Sequence, residues 1–292
     1  MWIHVICVAA ARSEPRVAYM QGQDGLTTSI DERGVARLVI NRPERKNSMA
    51  SETSAAFIKV MTAWANDDSV RLVVLGAPGR DFCTGADIVA MATAEPPQSP
   101  EEARARAEQT IDTGSDVVRA IRAIKVPVVA VVGGAAVGIG ASIAFASDLV
   151  YAASDAYFLL AFVNIGLMPD GAATATVAAA VGRARANAMA LLGEKLPAAQ
   201  AWADGLVTAV VEPDALQAKV DKVIDKLLAA SPRALELTKQ AVDAQTLAGF
   251  DLALDLEREG QIELLQSPEF AALIEAFASR GKARTPVSAS NQ

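Results

Sequence analysis

Two periods of apolar and polar positions run along most of this 292-residue chain. Residues 26–30 and 35–40 read as two strands around a turn at Glu32-Arg33-Gly34. The next segment, 51–66, shifts to a helical period that places Phe57, Val60, Met61 and Trp64 on one face. Unbroken apolar runs at 71–77 and in VPVVAVVGG predict strands buried on both faces. After the proline-broken stretch 94–100, a long charged helix is expected at 101–124. AVGIGASIAFAS reads as a short buried helix, 149–152 as a strand, 172–181 as a helix and 205–211 as a strand ending at Glu212-Pro213-Asp214. From there the period is helical throughout, over about 215–230, 233–248, 251–266 and 269–279. Strands and helices alternate and then helices accumulate, so an α/β core with a helical C-terminal part is predicted, not two independent domains. The expected organisation is an extension over 1–24 (disordered, or owed to a start set too far upstream), a core over 25–213, a helical part over 214–284 and a flexible tail over 285–292.

No charged residue occurs from 126 to 147, a length that could cross a bilayer. Gly133-Gly134 divides that stretch into a strand-like and a helix-like half. Its flanks are one lysine, Lys125, and one aspartate, Asp148, not a basic cluster. The N-terminal MWIHVICVAAARSEP has an apolar patch but no basic region before it, so it makes a weak signal peptide. A buried strand and helix in a cytoplasmic protein are therefore expected, with no membrane partner.

Hydrophobic residues at 52% and charged residues at 21% suit a chain that folds around a core. The net charge of −7 argues against nucleic acid as the main partner, because phosphate binding needs a basic face. The single histidine, His4, precedes every recognisable element, which leaves the main body without a histidine base or a histidine-built zinc site. Cys7 and Cys83 form no disulfide framework. Carboxylates, backbone groups, hydroxyls or a bound cofactor must supply any chemistry.

Three glycine-bearing loops are candidates for it: TGAD at 84–87, GGAAVGIG at 133–140 and IGLMPDGA at 165–172. Each sits where a strand gives way to a helix, the arrangement that turns free backbone N–H groups into a cavity. None matches a dinucleotide or P-loop fingerprint. Taken singly, each reads as a tight turn.

In order and spacing, NRPERKNSM, FCTGADI, KVPVVAVVGGAAVGIG, SDLVYAA and AFASRGKAR resemble the crotonase, or enoyl-CoA hydratase/isomerase, superfamily over about 26–284. The resemblance implies an α/β spiral of repeated ββα units with a helical C-terminal trimerisation part. It implies a homotrimer or dimer of trimers acting on an acyl-CoA, with the thioester as substrate and no permanently bound cofactor. The backbone N–H groups of Ala86 and Ile139 would form an oxyanion hole for the thioester enolate. Fixed donors aimed at a developing oxyanion are worth roughly 2.7–4 kcal/mol each. Thr84, Gly85, Asp87, Ile88 and Gly138 would frame the CoA pocket. Arg45 and Lys46 could meet its phosphates, and Lys282 or Arg284 could reach a neighbouring subunit's ligand.

The chain also departs from the hydratase pattern. The two glutamates that activate water in hydratases fall on Ser142 and Phe162, and neither can act as a carboxylate base. Ser142 reads as a small packing residue and Phe162 as pocket lining. One acid remains, Asp170 in GLMPDG, at the position of the catalytic acid in peroxisomal-type delta-3,delta-2-enoyl-CoA isomerases. The expected activity is therefore double-bond migration from C3 to C2 of an enoyl-CoA, with Asp170 as proton shuttle. Phe158, Phe162 and Met168 nearby in sequence are expected to raise its pKa by desolvation. Asp170 also precedes a helix and carries a helix-cap reading, as does Asp87. Cys83 reads as a small buried residue before it reads as a reactive thiol. Hydratase or hydrolytic chemistry and a non-catalytic acyl-CoA binding protein stand as alternatives.

Overall fold

The computed structural model describes residues 20–21 and 24–283, so His4 and Cys7 lie outside the described residues. The strands are β1 (Met20–Gln21), β2 (Leu26–Ile30), β3 (Val35–Ile40), β4 (Leu72–Gly76), β5 (Val128–Val132), β6 (Ala135–Val137), β7 (Leu149–Ala153), β8 (Tyr157–Leu159), β9 (Leu196–Pro197) and β10 (Ala209–Val211). The helices are α1 (Ser51–Ala65), α2 (Ile88–Thr93), α3 (Pro100–Arg122), α4 (Ile139–Ala146), α5 (Ala173–Leu192), α6 (Ala198–Ala203), α7 (Leu216–Ala229), α8 (Pro232–Thr246), α9 (Phe250–Leu265) and α10 (Pro268–Ala283).

A seven-stranded sheet runs β1-β2-β3-β4-β5-β7-β10. Its first two pairings are antiparallel and the rest are parallel. Met20 and Gln21, inside the stretch read as an extension, pair with Thr28 and Thr27. A second, three-stranded sheet is ordered β6-β8-β9, and the parallel strands β4, β5 and β7 are apolar and mostly buried along their length, the pattern of strands covered on both faces. Phe145 on α4 packs on Phe158 of β8, with ring centroids 5.1 Å apart. On α1, Phe57, Met61 and Trp64 are buried as the period requires, and Val60 is half-buried at the edge of that stripe.

Three expectations change. AVGIGASIAFAS is not one helix: its start belongs to β6, because Ala135, Ala136 and Val137 pair with Tyr157, Phe158 and Leu159, and α4 begins only at Ile139. The expected 205–211 strand shrinks to Ala209–Val211. The helix expected at 172–181 continues to Leu192 through a kink at Gly182, where φ is 73°. No local pattern could announce β6 or β8, since three residues carry too little periodicity and their pairing is non-local.

The uncharged stretch 126–147 is thus divided among β5, β6 and α4. Among the described residues, no helix is long and apolar enough to cross a membrane.

Candidate active site

The loops that follow β4 and β5 meet beyond the C-terminal ends of the parallel strands. Cys83 N–H donates to Ala135 O at 3.0 Å, and Val137 N–H donates to Cys83 O at 2.9 Å, so the two loops are zipped by a short parallel bridge. Glycines permit this approach. A Cβ on Gly85, at φ +95°, would stand 3.0 Å from Val137 O, and one on Gly140 would stand 2.3 Å from Cys83 O. Gly138, with φ 54° and ψ −128°, adopts a backbone conformation that side chains disfavour, and turns the chain into α4.

This geometry sets the two N–H groups singled out in the sequence. Met49 N–H donates to Gly85 O at 2.8 Å and Asp87 N–H donates to Met49 O at 3.0 Å, a parallel bridge that leaves the N–H of Ala86 unused. Ile139 is the first residue of α4, where helical N–H groups have no acceptor within the helix. Among the described residues, neither N–H has a hydrogen-bond acceptor. Ala86 is solvent-exposed and Ile139 half-buried. A Cβ built on Gly138 would lie 3.8 Å from Cζ of Phe162, which places that buried ring beside the turn into α4.

The NRPERKNSM loop braces the arrangement. Lys46 and Asn47 are both left-handed, with φ 52° and 56°. Asn47 is buried; its Oδ1 accepts from Arg42 N–H at 2.9 Å, while its Nδ2 donates to Pro78 O at 3.0 Å and Asp81 O at 2.7 Å. Lys46 O accepts from the Thr84 hydroxyl at 3.1 Å. Asp87 caps α2 through Ala90 N–H at 3.1 Å and pairs with Arg42 at 3.1 Å and Arg45 at 3.4 Å. Burial alone would raise its pKa; the Ala90 N–H and the two guanidinium groups outweigh that and hold it below the usual carboxylate range. Ile88 follows as the first residue of α2. Arg45 and Lys46 are exposed at the rim, Arg45 already sharing its charge with Asp87. Lys282 lies on α10, but its side chain, like Arg284 as a whole, is outside the described residues.

Cys83 is buried, and burial pushes its thiol up to about 12, so it is a packing residue, unreactive in the folded chain.

The third loop carries Asp170, and here the structure corrects one reading. Asp170 is not the side-chain cap of α5. The first turn of that helix is held by Glu257 of α9. One carboxylate oxygen accepts from Ala172 N–H at 2.7 Å, and the other accepts from Thr174 N–H at 3.0 Å and from the Thr174 hydroxyl at 2.6 Å. Ala172 itself sits at φ 56°, a strained conformation for a residue with a Cβ. With the cap role filled, the Asp170 carboxylate is released for other work. Its Oδ2 accepts from Gln261 Nε2 at 2.9 Å, whereas its Oδ1 is buried without a partner. Burial raises the carboxyl to about 7; the Gln261 N–H opposes the rise and the Glu257 charge adds to it.

Ser142, at the position where a hydratase glutamate is expected, does more than pack. Its hydroxyl donates to the backbone O of Asp170 at 2.8 Å and so ties the helix behind Ile139 to the acid-bearing loop. Gly171 makes that contact close: a Cβ there would fall 2.8 Å from Ile139 Cδ1 and 2.9 Å from Ser142 Cβ.

A region matching the enoyl-CoA hydratase/isomerase family model spans residues 31–284. The chain belongs to the enoyl-CoA hydratase/isomerase family. It is 33% identical to 1,2-epoxyphenylacetyl-CoA isomerase of Escherichia coli over 85% of this chain and 94% of that protein. It is 31% identical to trans-2-decenoyl-[acyl-carrier-protein] isomerase of Streptococcus mutans, over 85% and 93%. Among solved structures, an enoyl-CoA hydratase from Mycobacterium avium subsp. paratuberculosis superimposes with a TM-score of 0.79 at 44% identity, covering 91% of this chain and 99% of that one. The fold is therefore the crotonase spiral, and its relatives include both isomerases and hydratases.

Within that family frame, Glu257 and Gln261 are the site residues that sequence reasoning missed. A signal existed. The buried face of α9 reads Leu254, Glu257, Gln261, and two polar residues on an apolar stripe call for a buried polar partner.

Proposed function

We propose that this protein is an acyl-CoA isomerase that moves a double bond from C3 to C2 of an enoyl-CoA, with Asp170 as the proton shuttle. The observation that carries this is the Asp170 carboxylate, relieved of capping by Glu257, with one enclosed oxygen that has no partner. Ionised Asp170 takes a proton from C2. The electron pair moves into the thioester carbonyl, whose oxygen is held by the N–H groups of Ala86 and Ile139. The resulting dienolate recovers the proton at C4, and the double bond ends conjugated to the thioester. A group titrating near neutrality suits both steps, since it must first accept the proton and then release it. Ser142 and Phe162 supply no second acid to activate water. Arg45 and Lys46, with Lys282 of a neighbouring copy, would meet the CoA phosphates beside the frame of Thr84, Gly85, Asp87, Ile88 and Gly138. A cytoplasmic trimer or dimer of trimers is the expected assembly.

A hydratase reading is favoured by one observation, the 44% identity to a structure described as an enoyl-CoA hydratase. One assay separates the two. A 3-enoyl-CoA and a 2-enoyl-CoA are offered at equal concentration to wild type and to Asp170→Asn. Conversion of the 3-enoyl thioester, lost in the variant, supports the isomerase. Dominant water addition to the 2-enoyl thioester overturns it.

A further inference from the structure

We propose that Gln261, from the C-terminal helix α9, is the positioning residue that makes Oδ1 of Asp170 the proton-carrying oxygen. This rests on the reading of Asp170 as the base. The Gln261 side chain is buried, and its Nε2 donates both to Met168 O and to Asp170 Oδ2, each at 2.9 Å. The orientation of the amide is fixed by chemistry. Met168 O can only accept, so the nitrogen must face it, and the same nitrogen then faces Asp170.

An oxygen that already accepts an N–H is the poorer place for a proton. A proton taken from substrate therefore resides on Oδ1, which is buried without a protein partner. The double contact also fixes the torsion of the carboxyl, because Met168 O and Asp170 Oδ2 are held by one rigid amide. Gly260 allows α9 to come this close: a Cβ there would stand 2.3 Å from Met168 Sδ.

The surroundings leave few other groups to set the titration. Val118 of α3 and Ile139 and Ser142 of α4 pack against Gly171 beside it and carry no charge. On α9, Glu257 acts on Asp170 through its charge, and Arg258 turns to Asp112 of α3 at 2.6 Å. On α10, Glu269 lies against Gly166, four residues before Asp170.

The test is the pH profile of kcat/KM for a 3-enoyl-CoA in wild type, Gln261→Met and Gln261→Glu, with Asp170→Asn as control. Methionine keeps the volume and removes the N–H that favours the ionised form. The acid limb should move up by about one pH unit, and plateau kcat should fall about ten-fold. Glutamate keeps the shape and places a second acid beside the first, so its limb should move up further. The position of the Asp170 carboxyl titration, read by 13C NMR, gives the same shift where turnover is too low to measure. Reduced activity with an unmoved titration in both variants would mean that Gln261 only supports the fold, and the proposal fails. If instead Asp170→Asn turns over like wild type, the base reading itself fails, whatever the Gln261 variants do.

Discussion

Replacing Asp170 with asparagine removes a titrating proton from the interior and nearly preserves side-chain shape. In the folded chain this carboxyl titrates at about 7, against an ordinary value of 3.8. Between those values the folded state holds a proton that the unfolded chain has released. The associated stability is fully present below about pH 4, falls as pH rises, and levels off above the folded value. A shift of about three units at 1.36 kcal/mol each corresponds to ~4 kcal/mol withheld from the wild-type fold at alkaline pH, an upper bound because the site can relax. Asparagine carries no charge to bury, and its amide oxygen can still accept from Gln261. Urea unfolding of both proteins at fixed concentration, from about pH 5.5 to 8.5, checks this. The stability of Asp170→Asn relative to wild type should rise by about 2 kcal/mol between pH 5.5 and 8.5, most of it below pH 7, and level off toward the alkaline end. Stability curves that run parallel across that range would refute the reasoning, because they would mean that Asp170 is already ionised in the folded state at the acid end.

Glu257→Gln should destabilise the protein by about 2–3 kcal/mol in the same unfolding assay. Three donors now share two carboxylate oxygens, and an amide would turn an N–H toward one of them. A loss below about 0.5 kcal/mol would show that the first turn of α5 needs no such clamp. Gly171→Ala should cost about 1–3 kcal/mol and lower turnover, since φ there is +64° and the new methyl would press on Ile139, Ser142 and Val118. Unchanged stability and rate in that variant would mean that the contact between α4 and the Asp170 loop is looser than it stands.

Much of this protein was legible in one dimension. Unbroken apolar runs located β4 and β5 because strands buried on both faces have no polar side to show; an amphipathic stripe located α1, a long charged run α3, and a helical period the C-terminal helices. Glycines in the loops at 84–87 and 133–140 marked tight turns, because few other residues adopt those backbone angles, and only the family resemblance pointed from them to the N–H groups of Ala86 and Ile139. GLMPDG singled out Asp170 as the one acid in an apolar stretch.

Tertiary structure decided what those residues do. Whether Asp170 caps a helix or stands free depends on Glu257, 87 positions later in the chain, which takes the N–H groups that a local cap would have used. The pairing of β6 with β8 likewise joins short segments whose own periodicity is too brief to read. A neutral-range carboxyl arises only once α3, α4 and α9 exclude water around it, and burial is a property of the assembled core. Sequence pattern names the groups able to do chemistry; their partners, protonation and orientation follow from contacts between residues distant in the chain.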